Sequence, residues 1–263
     1  MTYSPNAQTG APLGVGNIVG GSFSILMRHF VTVVLLALVP TLIGLVLSGM
    51  MNGWGVALGS TQPVFTSGGQ ITAFFLSVVV QLVAYGVSTA LLVQAAYDAK
   101  LERPLTPGRY TGPAMKAALP IAILSLIAGI LAGIAAIALV VPGLWVYAVF
   151  SVMPAAVMIE KVGFGGLGRS AALTKDYRWP ILGAIILIAI VNVLINLVAT
   201  FVVGLLIASM GAGGAGLVVA VLLLSVLSAV GVALGSIAVA LIYARLREIK
   251  EGTSVQDIAA VFD

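Results

Sequence analysis

From position 31 to position 51 no side chain carries a charge, and five more runs of the same kind follow at 72–96, 117–140, 144–159, 181–208 and 217–242. These runs are apolar on every side. A helix that faces water on one side keeps a polar stripe, so segments like these must face lipid or one another. About 20 apolar residues cross about 30 Å of hydrocarbon, and the pattern therefore predicts six membrane-spanning helices. The run at 144–159 is short and contains Pro154, which predicts a kink or a span only just long enough.

The polar positions fall between the runs on alternating sides. All twelve cations lie before the first run, after the last, or in the connections that follow the second and fourth. The other connections, NGWGVALGSTQPVFTSGGQ, VPG and MGAGGAG, carry none, and the eight acids obey the same split. The positive-inside rule places the charged set, and with it both termini, in the cytoplasm. The first 30 residues hold a single cation, Arg28, unlike the basic start of a cleaved leader. The chain thus divides into an expected disordered cytoplasmic N-terminus at 1–13, a six-helix membrane domain at 14–252 and a cytoplasmic tail at 253–263.

Composition agrees, with 61% hydrophobic and 8% charged residues against about 25% charged in a typical soluble domain. The fold class is all-α: a polytopic integral membrane protein with six transmembrane helices as three hairpins, plus short interfacial helices. Cysteine is absent and there is one histidine, His29, which argues against disulfides, Cys/His zinc sites and thiol catalysis.

Two landmarks recur at nearly one offset. AYDAKLE around Tyr97 matches IYARLRE around Tyr243 at 146 residues, and GSFSILMRHF around Ser22 matches RSAALTKDYR around Ser170 at 148. This predicts hairpins of like orientation with 106–161 as the divergent middle one. The segments entering the first and third hairpins have the apolar spacing of interfacial helices. Trp179 reads as an interface anchor, Pro180 as a first-turn residue and Tyr243 as a headgroup-depth tyrosine.

Candidate contacts follow from these placements. Arg169, Lys175, Arg178, Arg245, Arg247 and Lys250 either capture anionic lipid headgroups, at about 1 kcal/mol per basic residue, or serve as topology signals alone. Gln81 in the second span and Asn192 and Asn196 in the fifth are the candidate intramembrane polar cluster, for bonding between helices or for a polar substrate. Small residues repeat every four positions at Gly129 and Gly133 in the third span, and at Gly231 and Gly235 in the sixth. They are expected at helix–helix contacts, within the chain or with a partner.

The stretch PGLWVYAVFSVMPAAVMIEKVGFGGLGRSAALTKDYRW carries Pro142, Gly143, Pro154, Glu160, Arg169, Ser170, Leu173, Thr174 and Trp179. The tail carries Tyr243, Leu246, Arg247, Lys250, Glu251 and Gly252. In this order the residues resemble the signature of the bacterial glycerophosphoryl diester phosphodiesterase membrane-domain family and its YciC-like relatives, over 14–252. The resemblance implies a six-helix bundle of largely undefined biochemical function. The family takes its name from a fused phosphodiesterase domain for which this chain has no room.

No run reads as GxSxG, Walker A or HExxH, and the glycines of GAGGAG at 211–216 lack the Lys-Ser/Thr ending of a phosphate cradle. No span has an ionisable group at mid-depth, where ion-coupled carriers place them. The reading is a non-enzymatic protein of the bacterial cytoplasmic (inner) membrane, without cofactor, metal or nucleic acid. Its expected partners are anionic lipids and a homo-oligomer or larger membrane complex, in which it is a lipid-interacting scaffold or accessory subunit. The alternatives are a transporter or permease for a lipid-like or amphipathic solute and, more distantly, a membrane-embedded lipid enzyme.

Overall fold

The structure, a computed structural model, describes residues 12–57, 61–210 and 215–252, and among them it contains helices and no strand. Six helical stretches are long and apolar enough to cross a membrane: Phe30–Asn52, Gly68–Lys100, Pro107–Ala138, Val140–Glu160, Arg178–Leu206 and Leu222–Glu251. The chain is therefore an all-α, multi-pass membrane protein.

Helix α1 (Val15–Arg28) buries Ile18, Ser22 and Leu26, four residues apart on one face, and lays that face against α9 and α10. It ends at His29, whose non-helical backbone starts α2 (Phe30–Asn52). After the one-turn α3 (Trp54–Ala57), α2 pairs with α4 (Gly68–Lys100). The next pair is α5 (Pro107–Ala138) with α6 (Val140–Phe150), which continues as α7 (Met153–Glu160). A 3₁₀ turn at Gly163–Gly165 leads into α8 (Gly166–Thr174), and α9 (Arg178–Met210) pairs with α10 (Ala215–Glu251).

Close approach sets the crossings. A Cβ on Gly86 of α4 would stand 2.6 Å from the Ala118 carbonyl oxygen of α5, and one on Gly44 of α2 would stand 2.9 Å from Ala84 Cβ. Both positions need glycine for the helices to touch. Ser88 Oγ adds a bond from α4 to the Ala37 carbonyl of α2 at 3.2 Å.

The fourth span is two helices. It breaks at Ser151–Val152, with Pro154 in the first turn of α7. A break leaves helix carbonyls without partners, and α8 supplies them: Ser170 Oγ and Thr174 Oγ1 donate to the Val149 carbonyl at 2.8 and 3.1 Å. Arg178, at the start of α9, lays its guanidinium 4.3 Å from the Trp145 ring centre of α6. The charged connection thus reaches the middle of this span. The 11 residues of α6 cover about 16 Å at about 1.5 Å each, roughly half of the hydrocarbon.

Burial is concentrated at the charged end. Positions 88–93 and 95–97 of α4, most of α7 and the stretch 240–244 of α10 are buried, and so are Tyr110, Ala114 and Ala118 in the first half of α5. At the other end Ile130, Ile134 and Ile137 of α5, and Leu194, Leu197 and Phe201 of α9, are exposed, which suits lipid-facing surface.

Several sequence expectations change. Gly129 and Gly133 are exposed, with nothing near their Cα hydrogens, so they make no contact within the chain. Gly231 is buried against the Asn192 side-chain oxygen, while Gly235 is half-buried with open space beside it. Leu13 joins the core at 3% exposure, so ordered packing begins inside the stretch expected to be disordered. Residues 1–11, the tail 253–263 and most of GAGGAG, 211–214, lie outside the described residues.

Candidate functional site

The last turns of α10 set two charged faces. Tyr243, Arg247 and Glu251 are spaced four apart on one side, and Arg245 and Glu248 sit three apart on the other. Arg247 Nε donates to Glu251 at 2.7 Å and Arg245 to Glu248 at 3.1 Å.

The first face closes a knot across three elements. Glu160 ends α7, where a negative charge meets the negative end of the helix dipole. Arg169 of α8 offsets that with a two-pronged pair: Nε to Oε2 at 2.7 Å and Nη2 to Oε1 at 2.8 Å. Tyr243 Oη donates to the same carboxylate at 2.6 Å, and Arg247 stands 3.7 Å away. Arg169 also pairs with Glu251. Two carboxylates thus face two guanidiniums, and the hydrogen bond to Glu160 raises the Arg169 guanidinium above its ordinary value. Such forked pairs fix geometry more firmly than a lysine could.

The second face ties α10 to the first hairpin. Lys100, ending α4, meets Glu248 at 2.6 Å, so this one carboxylate is bracketed by Lys100 and Arg245. Arg245 also donates to the Pro12 carbonyl at 3.4 Å. Lys250 Nζ donates to the Lys175 and Ala172 carbonyls at 2.7 and 3.1 Å, satisfying the C-terminal end of α8.

The structure gathers Arg169, Lys175, Arg247 and Lys250 around the junction of α8 and α10, and places Arg178 on Trp145. Within this group Lys175 alone keeps an exposed side chain. Tyr243 is fully buried at 0% exposure, packed inside the bundle, where Glu160 takes its hydroxyl. The pairings of Arg247 with Glu251 and of Arg245 with Glu248 have a signal in their spacing. Glu160, which holds the knot together, stands in the signature stretch, but its partner Tyr243 lies 83 residues away.

Gln81, Asn192 and Asn196 do not form one cluster. Gln81 stands beside Gly44 of α2, whereas Asn192 stands beside Gly231 of α10. Asn192 and Asn196 donate to the carbonyls one turn back, Ile188 at 3.1 Å and Asn192 at 2.8 Å. A cavity of about 340 Å³ reaches Gln81 together with Ser48 and Ser77, and its lining comes from α2 to α4 only. Among the described residues no three His, Cys, Asp or Glu side chains converge. No family model, curated protein or solved structure matches this chain.

Proposed function

We propose that this chain is a non-enzymatic protein of the bacterial cytoplasmic membrane, with both termini cytoplasmic, acting as a lipid-interacting scaffold or as an accessory subunit of a larger membrane complex. The observation that carries the reading is the collar of paired charges, in which Lys100, Glu160, Arg169, Glu248 and Glu251 lock the exits of three hairpins to one another. A collar of mutually neutralised groups holds helices in place, and it offers no free acid or base aimed at a reacting atom. The order of Pro142, Gly143, Pro154, Glu160, Arg169 and Ser170 supports membership of the family that this stretch resembles.

The cavity at Gln81 favours the second reading, a permease for an amphipathic solute, because it puts an amide and two hydroxyls in reach of a guest. One experiment separates the two. The protein is extracted gently and its associated lipids and proteins are identified by mass spectrometry, while purified protein in vesicles is assayed for efflux of a fluorescent lysolipid. Stoichiometric anionic lipid or a discrete protein partner without efflux is the expected result. Efflux that Gln81→Leu abolishes would establish the permease instead.

A further inference from the structure

Most acids of the collar are matched, and one corner is not. Between α1, α4 and α10 lies a cavity of about 520 Å³, lined among others by Ile25, Arg28, Lys100, Leu241 and Arg245. That volume lies within the roughly 300–1,000 Å³ of ordinary ligand sites. Three cations reach this cavity, and the carboxylate paired with them is Glu248. No acid is among the lining residues: Glu160 and Glu251 belong to the knot, Asp176 stands by Lys250, and Asp98 and Glu102, at the end of α4, lie outside the lining. Arg28 is exposed, with no acidic partner among the described residues. The lining itself is therefore cationic, with Glu248 shared by two of its three cations.

The rest of the lining is of another kind. Leu13, Ile18, Ile25 and Leu241 make an apolar floor, and Gly21 and Ser24 on α1 keep it open. A Cβ at Gly21 would already stand 3.2 Å from Leu241 Cδ1. An apolar floor beneath unmatched cations, at the place where α1 meets the first spanning helix, calls for a ligand with an anionic phosphate and a hydrocarbon chain.

We infer that the cavity between α1, α4 and α10 binds one anionic phospholipid, its headgroup lying among Arg28, Lys100 and Arg245 and the upper part of an acyl chain along Ile18, Ile25 and Leu241. This deepens the lipid-interacting reading and rests on it. The N-terminal residues 1–11 are a poorer occupant, since they contain no acidic side chain. The tail at 253–263 contains Asp257 and Asp263 and is the rival to be tested.

The test is native mass spectrometry of the full-length protein, released from vesicles of equal phosphatidylglycerol and phosphatidylcholine. Wild type is expected to retain one phosphatidylglycerol in preference to phosphatidylcholine. Arg28→Gln with Arg245→Gln, which spares the Lys100–Glu248 pair, should weaken retention about fivefold per cation. Ser24→Trp, which blocks the floor and keeps every charge, should also abolish it. Arg109→Gln, exposed and outside the cavity lining, should leave it unchanged.

Retention in wild type that survives both cavity variants would sink this site and leave the broader lipid reading standing. A wild type with no preference would remove both. Deleting 253–263 should change nothing, and a severalfold rise in bound lipid would show that the tail is the native occupant. Glycerol phosphate, titrated calorimetrically into lipid-free protein in detergent, should give no saturable heat, because it lacks the chain. Saturable binding would reassign the cavity to a soluble phosphate and overturn the proposal.

Discussion

Tyr243 Oη and Glu160 Oε1 lie 2.6 Å apart although 83 residues separate them in the chain. Through this bond the last helix holds the end of the middle hairpin, and Arg169 then closes the same carboxylate from α8. Hydrogen bonds to charged groups contribute about 1.5–3 kcal/mol. Tyr243→Phe should lower stability by about that amount, and Glu160→Leu by more, because it leaves a buried hydroxyl without an acceptor. The double variant should recover part of the loss, as expected for partners in one network. Thermal unfolding in detergent reads this, and simple additivity would show that the bond is not what couples the helices.

The glycines separate into two kinds, and substitution should tell them apart. Gly86→Ala drives a methyl group into the Ala118 carbonyl and should cost about 1–3 kcal/mol, as overpacking does. Gly133→Ala meets open space and should stay within about 0.5 kcal/mol. A large loss at Gly133 would mean that a partner covers that face, which crosslinking of the purified protein would then identify.

Topology can be read directly, since the chain has no cysteine of its own to remove. A cysteine at Ser67, between α3 and α4, should react with an impermeant thiol reagent added outside intact cells. One at Lys175, in the charged connection, should react only after the membrane is opened. The reverse pattern would invert the orientation.

The six spans and the charged side were legible because both follow from transfer free energy, which a sequence displays residue by residue. The direction of each helix face was not. Lipid tails are as apolar as leucine, so Gly129 and Gly133, which face outward, look the same in sequence as Gly231, which faces Asn192. The same blindness hid Gly86, whose neighbours Tyr85 and Val87 give no sign that Ala118 lies against it. In the collar, pairings within α10 could be read from helical spacing, whereas those of Glu160 with Arg169 and of Lys100 with Glu248 depend on how hairpins dock. The burial of Tyr243 was hidden for the same reason: a tyrosine near the end of a span usually marks the interface, and its acceptor, Glu160, lies 83 residues away.

One feature of the bundle governs the order in which it can be made. Helix α10 packs against α1, α2, α4, α7, α8 and α9, and among the six described spans it is made after the other five. Until it inserts, Lys100 has no Glu248, Glu160 lacks both Tyr243 and Arg247, and Lys250 cannot close the end of α8. The earlier hairpins must wait in the bilayer with unpaired charges at their charged ends, as folding intermediates of larger proteins wait with surfaces not yet covered. A chain truncated before residue 215 would stay in that state, open to membrane proteases that sample incomplete bundles. Insertion of α10 and closure of the six-helix bundle therefore coincide.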